Sequence, residues 1–296
     1  MLDPQVTHRW PLVSVLTPSF GQARWLEDNL RSVHAQTYAS IEHVVMDGGS
    51  TDGSVGILES RSRDGLLWAS EPDKGQSDAI NRAFARSSGE IIGWLNSDDA
   101  YFSRDAVARA VAIFEANPEV GVVYGHAALV NAEGTVLQVI WTPSLAPAVL
   151  RAYNLLCQPT VFVRRSMLGR ALFVDPAFDY MMDWELWLHL ARRTRFKRLD
   201  LIVAIDRHHL QRKSYTRLDL AAHDHALIRK RYRTAAWASN PILAKGVKVT
   251  ARLAGLSKVA EAARGGDALA LNSSSPRAIA VRQVAQLRRW MPSGDN

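Results

Sequence analysis

Ile91-Ile92-Gly93-Trp94-Leu95-Asn96-Ser97-Asp98-Asp99 is the stretch that decides how this chain is read. Ile91 to Leu95 is a compact apolar run bounded by Gly89 and a polar turn, the pattern of a strand in a sheet interior rather than of a helix face. Two adjacent carboxylates stand at its end. They repel one another unless a cation or hydrogen-bond donors sit between them, and in open α/β sheets ligands bind beyond the carboxyl ends of the strands. A divalent metal carrying a phosphorylated ligand meets both conditions. A turn leading into a helix that begins near Asp105 would use the same residue types, so the pair taken alone reads either way.

Upstream of this strand the pattern alternates. Leu12 to Leu16 reads as a strand, Arg24 to Ala35 as a helix with Trp25, Leu26, Leu30 and Val33 at helical spacing, and Ile41 to Met46 as a second strand. Ser54 to Ser60 is expected as a short helix, Leu66 to Ala69 as a third strand and Ser77 to Arg86 as a helix. Strands separated by helical segments predict βαβ units and a mostly parallel sheet. Thr17-Pro18-Ser19, the run from Asp47 to Gly53, and Asn96 to Asp99 each follow a strand, so they converge along one sheet edge, the expected cleft.

Downstream the character changes. Arg104 to Ala116 reads as a helix stopped by Asn117-Pro118, and Val120 to Val130 with Val136 to Trp141 as a hairpin around Asn131-Ala132-Glu133-Gly134. Leu145 to Tyr153 and Trp184 to Arg192 are expected as helices, Thr160 to Val163 as a strand, and Phe196 to Ile205 as a last strand or pair of strands. Beyond Tyr215 the chain reads as helical and basic.

Composition narrows the class. With 296 residues, 47% hydrophobic and 22% charged, the chain is that of a soluble globular protein with a sizeable core. Cys157 is the only cysteine, which rules out an intramolecular disulfide and a cysteine-rich zinc site and suits a reducing cytoplasm. Met1 to Gln5 lacks the layout of a signal peptide, and no apolar run approaches the roughly 20 residues that span a bilayer, so no integral membrane protein is expected. Of the net charge of +7, the stretch from Pro241 onward holds nine Lys/Arg and three Asp/Glu, leaving 27 against 26 before it. The basicity belongs to the tail, and a nucleic-acid partner for the main domain is not expected. Within residues 280–291, Val281, Val284, Leu287 and Met291 share one helical face opposite Arg282 and Arg289. Such a helix can lie on an anionic membrane surface or pack on the protein.

Several residue groups carry chemistry. Gly48-Gly49 lacks the G-x-G-x-x-G spacing, and neither a P-loop nor a G-x-S-x-G elbow occurs, which lowers oxidoreductase, NTPase and serine-hydrolase readings. Asp47 can accept from a nucleobase or ribose, or simply form the turn. Asp78 and Arg82, four apart, form a helix salt bridge or, facing the cleft, contact a nucleoside and a diphosphate. Asp183 stands where an apolar helix starts, which fits an N-cap or a partly desolvated general base, while Glu185 faces a different side. Arg207-His208-His209, with Lys213 nearby, suits a metal shell, a leaving diphosphate, or a surface turn.

In this order, Val13 to Phe20, Val45 to Gly53, Glu71 to Arg82 and Gly89 to Asp99 resemble the family 2 glycosyltransferases with the GT-A fold. Gln158 to Arg165 and Asp183 to Trp187 are similar to the acceptor-side half of that family. The resemblance covers residues 10–215 and implies a single α/β GT-A domain: a Rossmann-like, mostly parallel central sheet with helices on both faces and a small antiparallel part. Residues 216–296 are then a basic helical C-terminal extension. The activity implied is metal-dependent, inverting and hexosyltransferase-like, moving a sugar from a nucleotide donor to a glycan or lipid-linked acceptor in cell-surface polysaccharide or glycolipid synthesis. By the same resemblance Thr17, Pro18, Asp47 and Asp78 bind the nucleoside and Arg82 the diphosphate. Asp98 meets ribose or the metal shell, Asp99 coordinates Mg or Mn with His209 as a further candidate ligand, and Asp183 is the base. Two positions depart from the pattern: Asn96 stands where members often carry aspartate, and Met182 where the base often has an acidic neighbour. The alternative is a non-catalytic sugar-nucleotide or glycan-binding protein on the same fold. A nucleotidyltransferase would need a glycine-rich phosphate loop near the first strand, which this sequence lacks. The expected location is cytoplasmic, peripheral at the inner face of the cell membrane.

Overall fold

Each apolar run of the first hundred residues forms the element its spacing predicts, with ends displaced by at most three residues. In the computed structural model, which describes residues 10–62, 66–144 and 147–234, β1 (Val13–Ser19) is buried along its whole length. The helix α1 (Ala23–His34) turns Trp25, Leu26, Leu30 and Val33 inward. There follow β2 (Ile41–Asp47), α2 (Ser54–Arg61), β3 (Leu66–Ser70), α3 (Gln76–Arg86) and β4 (Ile91–Trp94). β1 runs parallel to β2 on one side and to β4 on the other, and β2 is parallel to β3. The β3–α3–β4 connection therefore carries the chain past β2 and β1. Strand order reverses between β1 and β4, the position at which open α/β sheets form a crevice beyond their carboxyl ends. Pairing of β1 with β4 stops at Leu16 and Trp94, whereas pairing with β2 continues to Ser19 and Asp47. Thr17 to Ser19 thus overhang the crevice with a strand neighbour on one side only.

The second half supplies β5 (Ala100–Tyr101), α4 (Ala106–Ala116), the hairpin β6 (Val120–Val130) and β7 (Val136–Ile140), α5 (Pro147–Leu150) and β8 (Val161–Arg164). It ends with α6 (Met182–Leu190), β9 (Arg195–Arg207), α7 (Lys213–Thr216) and α8 (Leu218–Tyr232). The sheet order is β3-β2-β1-β4-β8-β6-β9-β5, with β7 on β6. Antiparallel pairing enters through β8, which lies between β4 and β6, through the expected hairpin, and through β5 on β9. β9 is one strand, longer than the periodicity suggests, because parallel pairing with β6 holds it out to Val130–Arg207. Where Leu145 to Tyr153 was expected to be helical, α5 spans Pro147–Leu150 and residues 145 and 146 lie outside the described part. The tail helix expected over residues 280–291 also lies outside it.

Helices cover both faces of the sheet, and the two-residue alternation of the strands decides which core each side chain enters. Leu16, Ile92, Trp94, Val161 and Val163 pack with α3 and α6. Val13, Val15, Ile91, Val123 and Phe162 pack with α4 on the other face. At Gly93 a Cβ would stand 2.6 Å from the Tyr101 hydroxyl and 3.3 Å from the Phe162 ring, so these side chains pack against bare backbone there. The first helix of the expected extension, α8, buries Ile228 and Tyr232 in the same core as α6. The described residues of this helix thus pack on the main domain.

Candidate active site

Asp98 and Asp99 close the turn after β4, and both are buried. They do not cap the following helix: β5 intervenes, and Asp105 stands before α4. What meets their carboxylates comes from more than a hundred residues downstream. The Arg207 N–H donates to Asp99 Oδ1 at 2.9 Å, the Arg207 guanidinium donates to the Asp98 carbonyl at 2.9 Å, and His209 Nε2 lies 2.9 Å from Asp98 Oδ2. Arg207 reaches on to Asp28 at 3.3 Å, and the His209 ring packs on Trp25 with centroids 4.0 Å apart. The end of β9 is therefore the clamp that holds the acidic turn.

A third carboxylate, Asp206, sits beside the pair. It is held by Arg212 at 2.7 Å and accepts from the Cys157 thiol at 3.7 Å. Burial, and then the charges of Asp98 and Asp206, push the Asp99 carboxyl well above the usual carboxylate range. Burial also raises the Cys157 thiol, helped by Asp206 and Asp99. Burial opposes the charge on Arg212, but Asp206, Asp99 and Asp98 outweigh it and make the guanidinium more basic than usual. Among the described residues Arg212 is thus the one guanidinium paired with these three crowded carboxylates, since that of Arg207 is spent on the Asp98 carbonyl and Asp28, an arrangement that favours a further cation.

Among the described residues no group of three His, Cys, Asp or Glu side chains is arranged to hold a metal ion. The donors at hand are carboxylate oxygens, with the buried His209 Nδ1 left without a partner. Hard oxygen ligands in small number fit Mg or Mn completed by phosphate oxygens and water, not an all-protein cage. His209 is placed on Asp98 through Nε2, so the structure gives it a role beside Asp98 first.

Along the other strand ends the side chains are heavily committed. Asp47 accepts from the Gly49 and Ser50 amides at 3.1 and 2.8 Å and from the Ser50 and Ser70 hydroxyls at 2.6 and 2.7 Å, which folds the glycine turn onto the end of β2. The Thr17 hydroxyl is buried against His43 Nε2 at 2.9 Å. Pro18 is buried beside it, at the β1 overhang. Among the described residues the buried Ser19 hydroxyl at the same edge has no partner. Asp78 and Arg82 form the helix ion pair at 2.9 Å, with Asp78 also accepting from the Lys74 amide and Arg82 donating to the Pro72 carbonyl. Asn96 is the hub between these parts. Its Oδ1 accepts from Gln76 at 2.9 Å and Trp94 Nε1 at 2.8 Å, and its Nδ2 donates to Gln158 at 3.0 Å.

Asp183 lies inside the first turn of α6, not at its cap, and it is half-buried. Burial raises its carboxyl above the ordinary range against the opposing hydrogen bonds from the Trp184 amide and from Asn154 Nδ2, the latter at 2.9 Å. The short segment from Asn154 to Gln158 connects the two halves of the site: Asn154 bonds Asp183, Cys157 bonds Asp206, and Gln158 bonds both Asn96 and the Trp94 carbonyl. No side chain caps α6 itself, and the segment that leads into it is held from elsewhere: Asp224 of α8, buried, accepts from the amides of Asp179, Tyr180 and Met181 at 3.1, 2.7 and 2.9 Å. Glu185 does face away, into a cluster with Arg170 and Tyr232. Lys213 pairs with Asp179 at 2.5 Å.

Asp206, Asn154 and Asp224 are the residues that reading the chain alone passed over. Asp206 ends a buried strand just before the basic run, as Asp98 and Asp99 follow theirs, and could have been found by that signal. Asp224 shares a helical stripe with Ile228 and Tyr232, where a lone carboxylate asks for a buried partner. Asn154 carries no such signal.

Comparison with known proteins agrees with this geometry. Residues 14–163 match the family described as Glycosyl transferase family 2. An uncharacterized glycosyltransferase of Mycobacterium tuberculosis is 40% identical over 116 residues, which are 39% of this chain and 44% of that protein, so less than half of the relative's length is spanned. Among solved structures, S. aureus TarS 1-349 in complex with UDP-GlcNAc superposes with a TM-score of 0.57 at 19% identity, over 67% of this chain and 59% of that one. The mannosyltransferase PcManGT from Pyrobaculum calidifontis, in complex with GDP-Man and Mn2+, superposes with a TM-score of 0.57 at 20% identity, over 96% and 82% of the two chains. These likenesses show the GT-A fold. With half of its length matched by the family, and the acidic turn, the β1 overhang and the Asp47 loop all within the matched span, the chain belongs to glycosyl transferase family 2.

Proposed function

We propose that this protein is an inverting, metal-dependent hexosyltransferase that moves a sugar from a nucleoside diphosphate donor to a hydroxyl of a glycan or lipid-linked acceptor, in cell-surface polysaccharide or glycolipid synthesis. One observation carries the reading: a buried, cation-seeking Asp98–Asp99 turn at the sheet's switch point, joined by the Asn154–Gln158 segment to a desolvated Asp183. The donors named for the two structural neighbours, UDP-GlcNAc and GDP-Man, support the donor class, and the Mn2+ of the second supports a divalent ion.

In this reading the β1 overhang at Thr17 and Pro18, the Asp47 loop and Asp78 receive the nucleoside. Thr17 and Asp47 do so mainly by shaping the backbone, since their side chains are already paired. Arg82 lies toward the diphosphate, Asp98 toward the ribose, and Asp99 holds the ion with His209 as second candidate ligand. When bound, Mg or Mn supplies positive charge to the diphosphate as it departs. Asp183 takes the acceptor hydroxyl's proton as the new bond forms at the sugar carbon, a role for which a carboxylate of raised pKa is suited. Reaction at the cytoplasmic face of the membrane completes the proposal. No described helix is long and apolar enough to cross a bilayer.

The test is a panel of uridine, guanosine and thymidine diphosphate sugars screened for thermal stabilisation with Mn present, followed by NMR of the product anomer. Stabilisation and turnover with inverted configuration are expected. Stabilisation by a donor with neither transfer nor hydrolysis for any acceptor tried would leave the binding-protein alternative in its place.

A further inference from the structure

At the far end of α6 from Asp183 lies a cavity of about 420 Å³ lined by Arg170, Glu185, His189, Arg192, Arg193 and Arg231, with Tyr232 at its wall. None of its lining residues belongs to the acidic turn or pairs with Asp183, which bonds Asn154 in the first turn of α6. Glu185, buried, organises one side: it takes Arg170 at 3.0 Å, the Tyr232 hydroxyl at 2.5 Å and Arg231 at 3.5 Å. Arg231 also pairs with Asp175. The other side is not neutralised. Among the described residues no hydrogen bond or ion pair engages the guanidinium of Arg192 or Arg193, and neither takes the α6 carbonyls that a basic residue at a helix end ordinarily serves. The Arg193 guanidinium lies over Gly169, where a Cβ would stand 2.1 Å from Nη2 and where φ is +59°, so glycine makes the seat for it. Four guanidiniums thus stand against the carboxylates of Glu185 and Asp175, an excess of two positive charges in one recess.

We propose that this recess is a second anion site that binds a phosphate or diphosphate ester, with Arg192 and Arg193 as its ligating forks. Planar guanidiniums match phosphate oxygens in pairs, and paired N–H donors recognise that geometry better than point charges do. The cavity is several times the size of a phosphate group, leaving room for an organic substituent. Glu185 does not cancel the site, because its carboxylate is consumed by Arg170, Tyr232 and Arg231.

Titration calorimetry of the full chain with inorganic pyrophosphate, in EDTA to suppress metal-assisted binding at the acidic turn, tests this. Binding is expected, weakened about tenfold or more in R192Q/R193Q and partly kept in R192K/R193K, with Mn-dependent donor hydrolysis unchanged in both. Sedimentation with phosphatidic acid vesicles against phosphatidylcholine vesicles then separates the sources. Vesicle binding lost in R192Q/R193Q assigns a lipid headgroup, and pyrophosphate binding without vesicle binding assigns a soluble phosphoester. Equal pyrophosphate affinity in the wild type and R192Q/R193Q, or no binding heat at millimolar pyrophosphate, overturns the proposal.

Discussion

His209 Nε2 and Asp98 Oδ2 stand 2.9 Å apart, although 111 residues separate them in sequence. With Arg207, one of the last residues of β9 to pair in the sheet, this contact makes the acidic turn a joint product of β4 and β9. The turn is not a local motif, and its chemistry depends on strands that meet only in the folded sheet.

Asp99→Asn is expected to keep the acceptor for the Arg207 amide while removing the charge that a cation answers. Mn-dependent donor hydrolysis should fall by about 10² or more, while the melting temperature without metal stays level or rises because repulsion with Asp98 and Asp206 is relieved. Hydrolysis rates and thermal melts of the two proteins in EDTA decide it; wild-type hydrolysis in the variant would remove Asp99 from the metal site.

Asp183 must be ionised to act as a base, so kcat/KM should rise with pH through its raised pKa. Asn154 donates to the ionised form and lowers that pKa. Asn154→Ala is therefore predicted to move the acid limb of the pH profile upward, and Asp183→Asn to cost about 10² to 10⁴ in transfer with donor affinity kept. An acid limb unmoved by Asn154→Ala would mean that another group controls it.

Asp224→Ala strips the acceptor from three partly buried amides of the segment that enters α6. The expected cost is about 2 to 4 kcal/mol in chemical denaturation, together with a lower kcat, because α6 carries Asp183. Asp224→Asn should restore part of both. Loss of stability with unchanged kcat would separate this contact from catalysis.

Asn96→Asp introduces the residue that the family resemblance leads one to expect at this position, and here it should destabilise. The Nδ2 donor to Gln158 becomes an anionic oxygen facing an amide oxygen, and Gln158 cannot turn over without giving up its bond to the Trp94 carbonyl. A loss of about 1 to 3 kcal/mol is expected, recovered by combining it with a change at Gln158 that removes the oxygen.

His43 is buried and its pKa is pushed down to about 3 by that burial, so the fold holds it neutral against Thr17. Its contribution is fully present above the unfolded pKa near 6.5 and is lost as pH falls toward 3, by about 1.4 kcal/mol per pH unit for one proton. Between pH 6.5 and 5 the stability of the wild type should drop more steeply than that of His43→Gln. Parallel curves would show that His43 does not titrate with unfolding.

The order of strands and helices, the glycine turn after β2 and the acidic end of β4 could be read from the chain because they depend on local period and on short apolar runs. So could the candidate base, although its setting could not. Asp183 read as a possible cap, yet it lies inside the first turn, and the segment entering α6 is held by Asp224, a residue of the helix that sequence composition set apart as an extension. Asn96 read as a departure at a ligand position, whereas the folded protein uses it as a hub whose amide nitrogen is required.

What the sequence by itself determined is therefore the βαβ frame and the carboxylates that the ends of its strands present. Tertiary structure decided which groups face those carboxylates: His209 and Arg207 on the acidic pair, Asp206 with Arg212 beside it, Asn154 on Asp183, and Asp224 beneath α6. The reason is physical. Periodicity records which face of an element avoids water, but charge balance and hydrogen-bond satisfaction in a buried site are settled between elements far apart in the chain, and only packing brings them within 3 Å of one another.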